Sequence, residues 1–128
     1  MSIPRILAVD DDEPILELID AYLPAYEVKK VKSGADAISA FDTFRPNLVL
    51  LDISMPDLDG IETMKRLRSR PRGAMCSYMM LTAHADTPTV NRARDAGAGA
   101  YLLKPFERPK LVARIDQMLG RGEVFAIE

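Results

Sequence analysis

The sequence predicts an α/β protein in which helices cover both faces of a parallel β-sheet. Short apolar runs bounded by turn residues alternate five times with segments whose apolar residues recur at helical spacing. The run Leu48–Leu51 has four consecutive apolar residues, which is typical of a strand buried on both faces. With 128 residues, the chain fits one domain that has its own hydrophobic core.

Composition and charge exclude several broad classes of protein. The net charge of −2 argues against a general nucleic-acid-binding or membrane-surface protein. Cys76 is the single cysteine, which rules out an internal disulfide, and no signal-peptide pattern follows Met1. We therefore expect a reducing, cytoplasmic setting. The longest apolar runs are only a few residues and are too short to cross a bilayer.

Three strands and two helices are predicted in the first part of the chain. The strands are Arg5–Val9, Glu27–Val31 and Leu48–Leu51. Pro14 suits the first turn of the first helix, and Pro24 stops that helix. Ser33 is a good cap for the second helix, which ends at Arg45-Pro46 because the residue before a proline avoids helical geometry.

Three helices and two strands are predicted in the remainder of the chain. A helix begins at Asp59-Gly60, and the strand Ser77–Leu81 follows it. We interpret Met75, Met79 and Met80 as residues that fill this strand and the core. The last strand is Ala100–Leu103, and the buried stripe of the last helix consists of Leu111, Val112, Ile115, Met118 and Leu119.

The fourth helix is the element with the weakest predicted packing. Thr87-Pro88 opens this helix and Gly97 closes it. Its candidates for burial are Val90, Ala93 and Ala96, all of which are small. Because small apolar side chains bury little area, we expect the fourth helix to be held weakly.

Polar side chains follow four of the predicted strands directly. Asp10 and Asp11 follow the first strand, Asp52 the third, Thr82 the fourth and Lys104 the fifth. Because the carboxyl ends of parallel strands share one edge of the sheet, these residues should converge on one site. Clustered carboxylates repel one another, and a hard cation such as Mg²⁺ relieves that repulsion. Asp52 is then a candidate nucleophile for phosphoryl transfer, with Lys104 and Thr82 stabilising the transferred charge.

This arrangement resembles the receiver domain of two-component response regulators over residues 4 to 120. The matching motifs are Asp10-Asp11, the run Leu50–Pro56 around Asp52, Gly60, Thr82-Ala83, Tyr101 and Lys104-Pro105-Phe106. Each motif alone is modest evidence, whereas all of them in this order are highly specific. The resemblance implies a flavodoxin-like, doubly wound five-stranded parallel sheet of order 2-1-3-4-5, flanked by five helices. It also implies a receiver domain at residues 1–122 and a tail or the start of a linker at 123–128.

The same resemblance implies phosphorelay signal transduction. Asp52 would take a phosphoryl group from a phosphohistidine of a sensor histidine kinase or phosphotransfer protein. Mg²⁺ would be held by Asp11, Asp52 and the backbone carbonyl of Ser54, with Asp10 assisting through water. Lys104 would pair with the phosphoryl group, and the Lys104-Pro105 peptide would be cis. The chain would catalyse only its own phosphorylation and dephosphorylation and would not otherwise be an enzyme.

The resemblance also assigns a switching role to Thr82 and Tyr101. Thr82 would move toward the phosphoryl group and Tyr101 would rotate inward behind it. Helix 4 and strand 5 would then shift, which would change the face formed by helix 4, strand 5 and helix 5. Ser54 and His84 flank the path of the attacking water in this family, so we expect them to tune the rate of dephosphorylation.

The expected output partner is a downstream effector protein or an output domain missing from this chain. We expect neither direct contact with nucleic acid nor contact with a membrane. A homodimer through helices 4 and 5 is a further expectation, because charges of both signs lie on them. These charged residues are Arg92, Arg94, Asp95, Lys110, Arg114 and Asp116.

Three alternative functions fit parts of the sequence. A haloacid-dehalogenase-like phosphatase would use Asp10 as nucleophile in an Asp10-x-Asp12 motif, although Pro14 stands where that family has Thr or Val. A pseudo-receiver would act as an interaction module without being phosphorylated. A flavodoxin would need a phosphate-cradling loop after the first strand, where this chain has an acidic loop that repels phosphate.

Overall fold

Five strands and five α-helices alternate along residues 3–120, which are the residues that the computed structural model describes. The strands are β1 (Arg5–Val9), β2 (Glu27–Val31), β3 (Leu48–Leu51), β4 (Ser77–Thr82) and β5 (Ala100–Leu103). The helices are α1 (Glu13–Tyr22), α2 (Gly34–Phe44), α3 (Gly60–Arg68), α4 (Thr87–Ala96) and α5 (Arg108–Gly120). The predicted domain boundary at 122 and the predicted tail 123–128 lie outside the described residues.

All five strands form one parallel sheet of order β2-β1-β3-β4-β5, so the predicted flavodoxin-like topology is confirmed. Register runs across the centre of the sheet through Leu7, Val49 and Tyr78, which are Cα partners on β1, β3 and β4. Because the strands are parallel, the residues that follow them emerge at one edge of the sheet. We call this the carboxyl edge, and the edge where the strands begin the amino edge.

Side chains alternate between two buried layers, one on each face of the sheet. One layer contains Leu23, which directly follows α1, and the apolar residues of α1 and α5, namely Leu16, Ile19, Leu111, Ile115 and Met118. The other contains those of α2, α3 and α4, namely Ala37, Phe41, Ile61, Met64, Leu67, Val90 and Ala93. The strands are therefore covered on both sides, which explains why β3 is a continuous apolar run.

The start of α3 lies close against the backbone of the acceptor strand. The Asp59 carboxylate caps this helix by accepting a hydrogen bond from the Glu62 N–H at 2.8 Å. Gly60 follows, and a Cβ at this position would overlap the Asp52 carbonyl. A glycine is required here because any side chain would push α3 away from the residue that emerges from β3.

Two side chains lie elsewhere than the sequence predicted. Met75 was expected in the strand or core, but it belongs to a 3-10 turn, Gly73–Met75, before β4 and is 84% exposed. Arg114 was expected on the charged surface of α5, but it is 8% exposed and donates a hydrogen bond to Gln117 at 3.0 Å. It lies three residues after Leu111 and so shares the buried stripe of α5.

Candidate functional site

Asp52 is the first residue after β3 and lies at the carboxyl edge of the sheet. Its backbone N–H donates to the Val9 carbonyl at 3.0 Å, so the residue is fixed to the neighbouring strand. The residue is 7% exposed, and its Oδ1 accepts the Ser54 N–H at 3.4 Å. Backbone contacts thus hold the carboxylate in place while one side of it faces the loops of the carboxyl edge.

Asp10 and Lys104 converge on Asp52 from β1 and β5. The Lys104 Nζ lies 2.6 Å from the Asp10 Oδ2 and 3.2 Å from the Asp52 Oδ2. Asp10 is 2% exposed, and its second oxygen accepts the backbone N–H of Asp12 at 2.9 Å. The Lys104-Pro105 peptide is cis, as expected. One ammonium group therefore bridges two buried carboxylates that are 42 residues apart in sequence.

Burial governs the electrostatics of this site. Desolvation raises the pKa of Asp10, and the hydrogen bonds from Lys104 and Asp12 offset only part of that increase. Desolvation alone would lower the pKa of Lys104, but the hydrogen bond to Asp10 and the nearby Asp52 charge outweigh it and raise the pKa. Lys104 is therefore held in its charged form between the two carboxylates.

Carboxylate oxygens of Asp10, Asp11 and Asp52 lie within 4.8 Å of one another. Asp10 and Asp52 are buried, whereas Asp11 is exposed at the mouth of the site. When ionised, three carboxylates exceed the single charge of Lys104, so the cluster keeps a net negative charge. Hard oxygen donors with excess negative charge, open to solvent on one side, fit a cation such as Mg²⁺ that retains several waters.

A chain of hydrogen bonds leads from the acceptor loop to β5. The side chains of Ser54 and His84 hydrogen-bond to each other through Oγ and Nε2. The His84 N–H donates to the Thr82 Oγ1 at 3.5 Å, and the Tyr101 hydroxyl donates to the His84 carbonyl at 2.8 Å. Thr82 and Tyr101 are both buried. His84 therefore connects the loop after β3, the end of β4 and the side chain of Tyr101.

The hydroxyl of Tyr101 is kept protonated by its surroundings. Burial, reinforced by the charges of Asp86 and Asp52, raises the pKa of Tyr101 to about 12. The protonated hydroxyl can donate to the His84 carbonyl, whereas a phenolate could not. At neutral pH the Tyr101 hydroxyl is therefore the donor in the hydrogen bond that links β5 to the loop before α4.

The chain matches the family model of the response regulator receiver domain over residues 6–116. It belongs to this family. Relatives include the DNA-binding response regulator MtrA of Mycolicibacterium smegmatis, 36% identical over 121 residues, and the transcriptional regulatory protein GltR of Pseudomonas aeruginosa, 38% identical over 120 residues. The chemotaxis protein CheY4 of Vibrio cholerae has a solved structure with a TM-score of 0.86, at 26% identity, which covers 90% of this chain and 98% of that chain.

This receiver domain spans about half the length of the curated relatives it matches. The alignments cover 93% and 92% of this chain but 52% and 50% of MtrA and GltR. Membership of the receiver family favours the predicted two-component signalling role over the haloacid-dehalogenase-like and flavodoxin alternatives. Within residues 3–120, no helix combines the length and apolarity needed to cross a membrane.

The receiver structure brings every site residue that the sequence predicted to the carboxyl edge. These residues are Asp10, Asp11, Asp52, Ser54, Thr82, His84, Tyr101 and Lys104. Tyr101 already points inward here, which is the orientation that the resemblance associated with the phosphorylated state. Sequence reasoning missed two contacts: the Lys104–Asp10 ion pair, and Asp86, whose carboxylate caps α4 by accepting the Thr89 N–H at 3.1 Å. The spacing Asp86-x-x-Thr89 before an apolar residue was the available signal for the cap.

Proposed function

We propose that this receiver domain is the phosphoacceptor of a two-component phosphorelay and that Asp52 becomes phosphorylated. The observation that carries the proposal is the position of Lys104, whose Nζ lies 2.6 Å from Asp10 and 3.2 Å from Asp52. An ammonium group held beside the nucleophile is positioned to stabilise charge on a transferring phosphoryl group. The donor is a phosphohistidine of a sensor histidine kinase or of a phosphotransfer protein.

In the proposed transfer, a carboxylate oxygen of Asp52 attacks the phosphorus atom. The O–P bond forms as the P–N bond to the donor imidazole breaks, and the imidazole keeps that electron pair. Lys104 then pairs with the phosphoryl oxygens. Thr82 accepts the His84 N–H through its oxygen, so its own hydroxyl proton is the natural donor to a phosphoryl oxygen. The chain is thus substrate and catalyst of its own modification rather than an enzyme acting on others.

We assign Asp11, Asp52 and the backbone carbonyl of Ser54 as the groups that hold Mg²⁺, with Asp10 contributing through water. The clustered carboxylate oxygens, within 4.8 Å of one another, fit an oxygen-liganded cation. When bound, the ion supplies positive charge that offsets repulsion between the carboxylates and the incoming phosphoryl group. Asp10 stays oriented by the Asp12 N–H and by Lys104.

Ser54 and His84 are proposed to set the lifetime of the phosphoryl group. Their hydrogen bond joins the two loops beside Asp52 and restricts where a water molecule can stand for attack. In a Ser54→Ala/His84→Ala double variant, we expect the phosphoryl group to be lost at least threefold faster, measured as the decay of intact phosphorylated protein. An unchanged decay rate would show that these side chains do not tune hydrolysis.

Phosphorylation is proposed to act on the face formed by α4, β5 and α5. Attraction of Thr82 toward the phosphoryl group would move the loop of His84, whose carbonyl is held by Tyr101. The start of α4 follows this loop directly, so its position relative to α5 would change. The same face is the proposed dimer surface. Of the charges predicted for it, Arg114 is buried, and the exposed ones are Arg92, Arg94, Asp95, Lys110 and Asp116. A monomeric solution mass for the phosphorylated protein would refute the dimer.

The output is proposed to be delivered by an effector protein or by an output domain beyond this chain. MtrA is a DNA-binding response regulator and GltR a transcriptional regulatory protein, and each is about twice as long as the match. We propose that this domain itself contacts neither nucleic acid nor membrane, consistent with its net charge of −2. A cytoplasmic location is proposed because the single cysteine cannot form an internal disulfide.

Intact-mass analysis after incubation with acetyl phosphate tests the acceptor directly. With Mg²⁺ we expect a gain of one phosphoryl group on the native protein and none on Asp52→Asn. Asp57→Asn is the matched control, since Asp57 is exposed in the same loop and its positive φ tolerates asparagine. A gain that survives in Asp52→Asn but not in Asp10→Asn would overturn the assignment of the acceptor. No gain on the native protein would favour a pseudo-receiver.

The Lys104→Ala variant separates phosphorylation of Asp52 from the proposed conformational change in α4. Without the ammonium group, Asp52 should still be phosphorylated to some extent in Mg²⁺. No ammonium group would then pair with the phosphoryl oxygens, so the conformational change around the site should not follow. We expect phosphorylation of this variant to leave hydrogen exchange in α4 unchanged. Lys29→Ala, at an exposed position of the edge strand β2 and away from this face, should respond as the native protein does. A normal exchange response in Lys104→Ala would refute the proposed role.

A further inference from the structure

A second concave surface lies at the amino edge of the sheet, opposite the acceptor site. It has a volume of about 490 Å³, within the usual range for ligand-binding pockets. The pocket is bounded by residues at the starts of β1, β3 and β4 and at the end of α2. Phe41, Pro46 and Cys76 are buried residues that supply an apolar base. None of the acceptor-site residues lines it, so the pocket is separate from the acceptor site.

Positive charge dominates the lining of this amino-edge pocket. Arg5, Arg45 and Arg72 line it, and Asp42 is its one acidic residue. The Asp42 carboxylate forms a two-pronged ion pair with the guanidinium of Arg70, with Nε to Oδ1 at 3.1 Å. Because Arg70 neutralises this carboxylate, the three lining arginines give the pocket a net positive charge.

The three arginines differ in how they are held. The Arg5 guanidinium is fixed by the carbonyls that end α2, at 2.7 Å from the Phe44 oxygen and 2.9 Å from the Arg45 oxygen. Within residues 3–120, the side chains of Arg45 and Arg72 form neither a hydrogen bond nor an ion pair. The guanidinium groups of Arg45 and Arg72 are therefore available to an anionic partner, whereas that of Arg5 is held by backbone carbonyls.

The backbone at Arg45 and Arg72 adds an independent argument. Their φ angles are 55° and 71°, and Asp57 is the one other non-glycine residue within 3–120 with a positive φ. A side chain in this left-handed region costs about 1–2 kcal/mol, and glycine or asparagine usually occupies such positions. Local conformation does not favour arginine at either position, so a role for the two side chains accounts better for their presence.

A large apolar side chain stands at the rim of the same pocket. Met75 lines it and is 84% exposed, the highest value among the large hydrophobic residues within 3–120. Ile3, the other such residue, is 60% exposed and lies just before β1 at the same edge. Methionine and arginine are both enriched in protein–protein interfaces. The pocket thus combines unpaired positive charge with exposed apolar surface.

We propose that the amino-edge pocket binds an acidic peptide segment of a partner protein. The segment carries at least one large apolar side chain, which packs between Phe41 and Met75, and carboxylates on either side of it pair with Arg45 and Arg72. Guanidinium groups bind carboxylates in a two-pronged geometry that gives orientation as well as affinity. A small polyanion would satisfy the arginines but would leave Met75 exposed. Binding does not depend on phosphorylation of Asp52, so this inference stands apart from the proposed function.

Selection from a random displayed-peptide library against the full chain tests the proposal. We expect the enriched sequences to be acidic and to contain a large apolar residue. Synthetic copies of them should bind in fluorescence anisotropy, equally well with and without prior phosphorylation. Copies with lysine in place of the acidic residues, or serine in place of the apolar residue, should bind at least tenfold more weakly. Enrichment of basic or purely polar sequences, or no enrichment, would overturn the proposal.

Protein variants locate the binding site. Arg45→Asn and Arg72→Asn keep a residue that tolerates a positive φ, so both should fold normally, and together they should weaken peptide binding at least tenfold. Met75→Ser should also weaken it. Arg66→Gln removes an equivalent charge from an exposed position of α3 outside the pocket and should change affinity less than twofold. Equal losses in Arg66→Gln and Arg72→Asn would mean that binding reflects net charge alone. Competition by millimolar pyrophosphate that matches peptide affinity in strength would mean that the pocket is a small-anion site.

Discussion

Helices α4 and α5 both lie beside β5, but they are attached to the sheet to very different extents. The buried apolar side chains of α4 are Val90 and Ala93. α5 buries Leu111, Ile115 and Met118. Full burial contributes about 2 kcal/mol for each large aliphatic side chain, so α5 gains roughly 6 kcal/mol and α4 roughly a third of that.

This difference separates a movable element from a fixed one. α4 begins five residues after Thr82, directly beyond the loop in which His84 contacts Ser54 and Tyr101. A small displacement at the acceptor site would therefore act on a helix that costs less to move than α5. α5 follows Lys104 but is fixed by its apolar stripe, and it can serve as the reference against which α4 shifts.

The largest expected effect is an unequal loss of stability when each helix loses its main buried side chain. Ile115→Ala should lower the free energy of unfolding by about 3 kcal/mol, since Ile115 is fully buried and a cavity remains. Val90→Ala should cost only about 1 kcal/mol, because two methyl groups are lost while alanine favours the helix by a few tenths of a kcal/mol. Urea denaturation followed by circular dichroism measures both values.

Exposed neighbours serve as controls for this pair. Ala113→Ser in α5 and Arg92→Ala in α4 alter exposed positions and should change stability by less than about 0.5 kcal/mol. Equal losses in Ile115→Ala and Val90→Ala would contradict the distinction between a fixed and a movable helix.

A substitution at the end of α4 should have an effect of intermediate size on stability. Gly97 closes this helix with a φ of 121°, and a Cβ there would overlap the Arg68 side chain, which lies over the Tyr78 ring. Gly97→Ala should therefore cost about 1–2 kcal/mol, mainly through backbone strain. Gly120→Ala at the end of α5 is the matched control, because within residues 3–120 a Cβ at that position would meet no atom within 4 Å. Equal melting temperatures for the two variants would mean that α4 does not need a glycine at position 97.

The smallest expected effect concerns a polar contact that further secures α5. The Tyr26 hydroxyl hydrogen-bonds to the Asp116 carboxylate, and burial together with this carboxylate raises the pKa of Tyr26 to about 12. The folded pKa exceeds the unfolded value of about 10, so the stabilisation is complete below pH 10 and is lost as the pH rises through 12. The native protein should exceed Tyr26→Phe in stability by about 1 kcal/mol at pH 8, and this advantage should shrink between pH 10 and 12.

Tyr22→Phe is the control variant for Tyr26→Phe, since it also removes one tyrosine hydroxyl. Tyr22 packs edge-on against Phe106, and within residues 3–120 its hydroxyl has no hydrogen-bond partner. Its removal should leave the pH dependence of unfolding unchanged. A Tyr26→Phe variant with the same alkaline profile as the native protein would mean that the contact with Asp116 does not stabilise α5.

The sheet and the acceptor site were largely predictable from sequence because both depend on local patterns. Apolar runs marked the strands, and the parallel topology then placed the polar residues that follow them at one edge. Asp52, Thr82 and Lys104 were identified in this way. The weak packing of α4 was also visible, since Val90 and Ala93 are its buried apolar residues.

Other features depended on contacts that sequence spacing does not encode. Met75 adjoins the strand in sequence, and only the 3-10 turn before β4 turns it outward. Arg114 shares the helical register of Leu111 and Met118, but its charge placed it among the predicted surface residues of α5. The hydrogen bond between Ser54 and His84 joins loops that are 30 residues apart, and only the folded chain brings them together.

The central claim is that phosphorylation of Asp52 acts through the loop of His84 on α4 while α5 stays fixed. Amide hydrogen exchange of the native protein, with and without acetyl phosphate and Mg²⁺, tests it most directly. We expect altered exchange from Thr82 through α4 to Tyr101 and unchanged exchange in the buried turns of α5. Phosphorylated protein, verified by mass, with unchanged exchange in α4 or with its main change in α5 would contradict this role of α4.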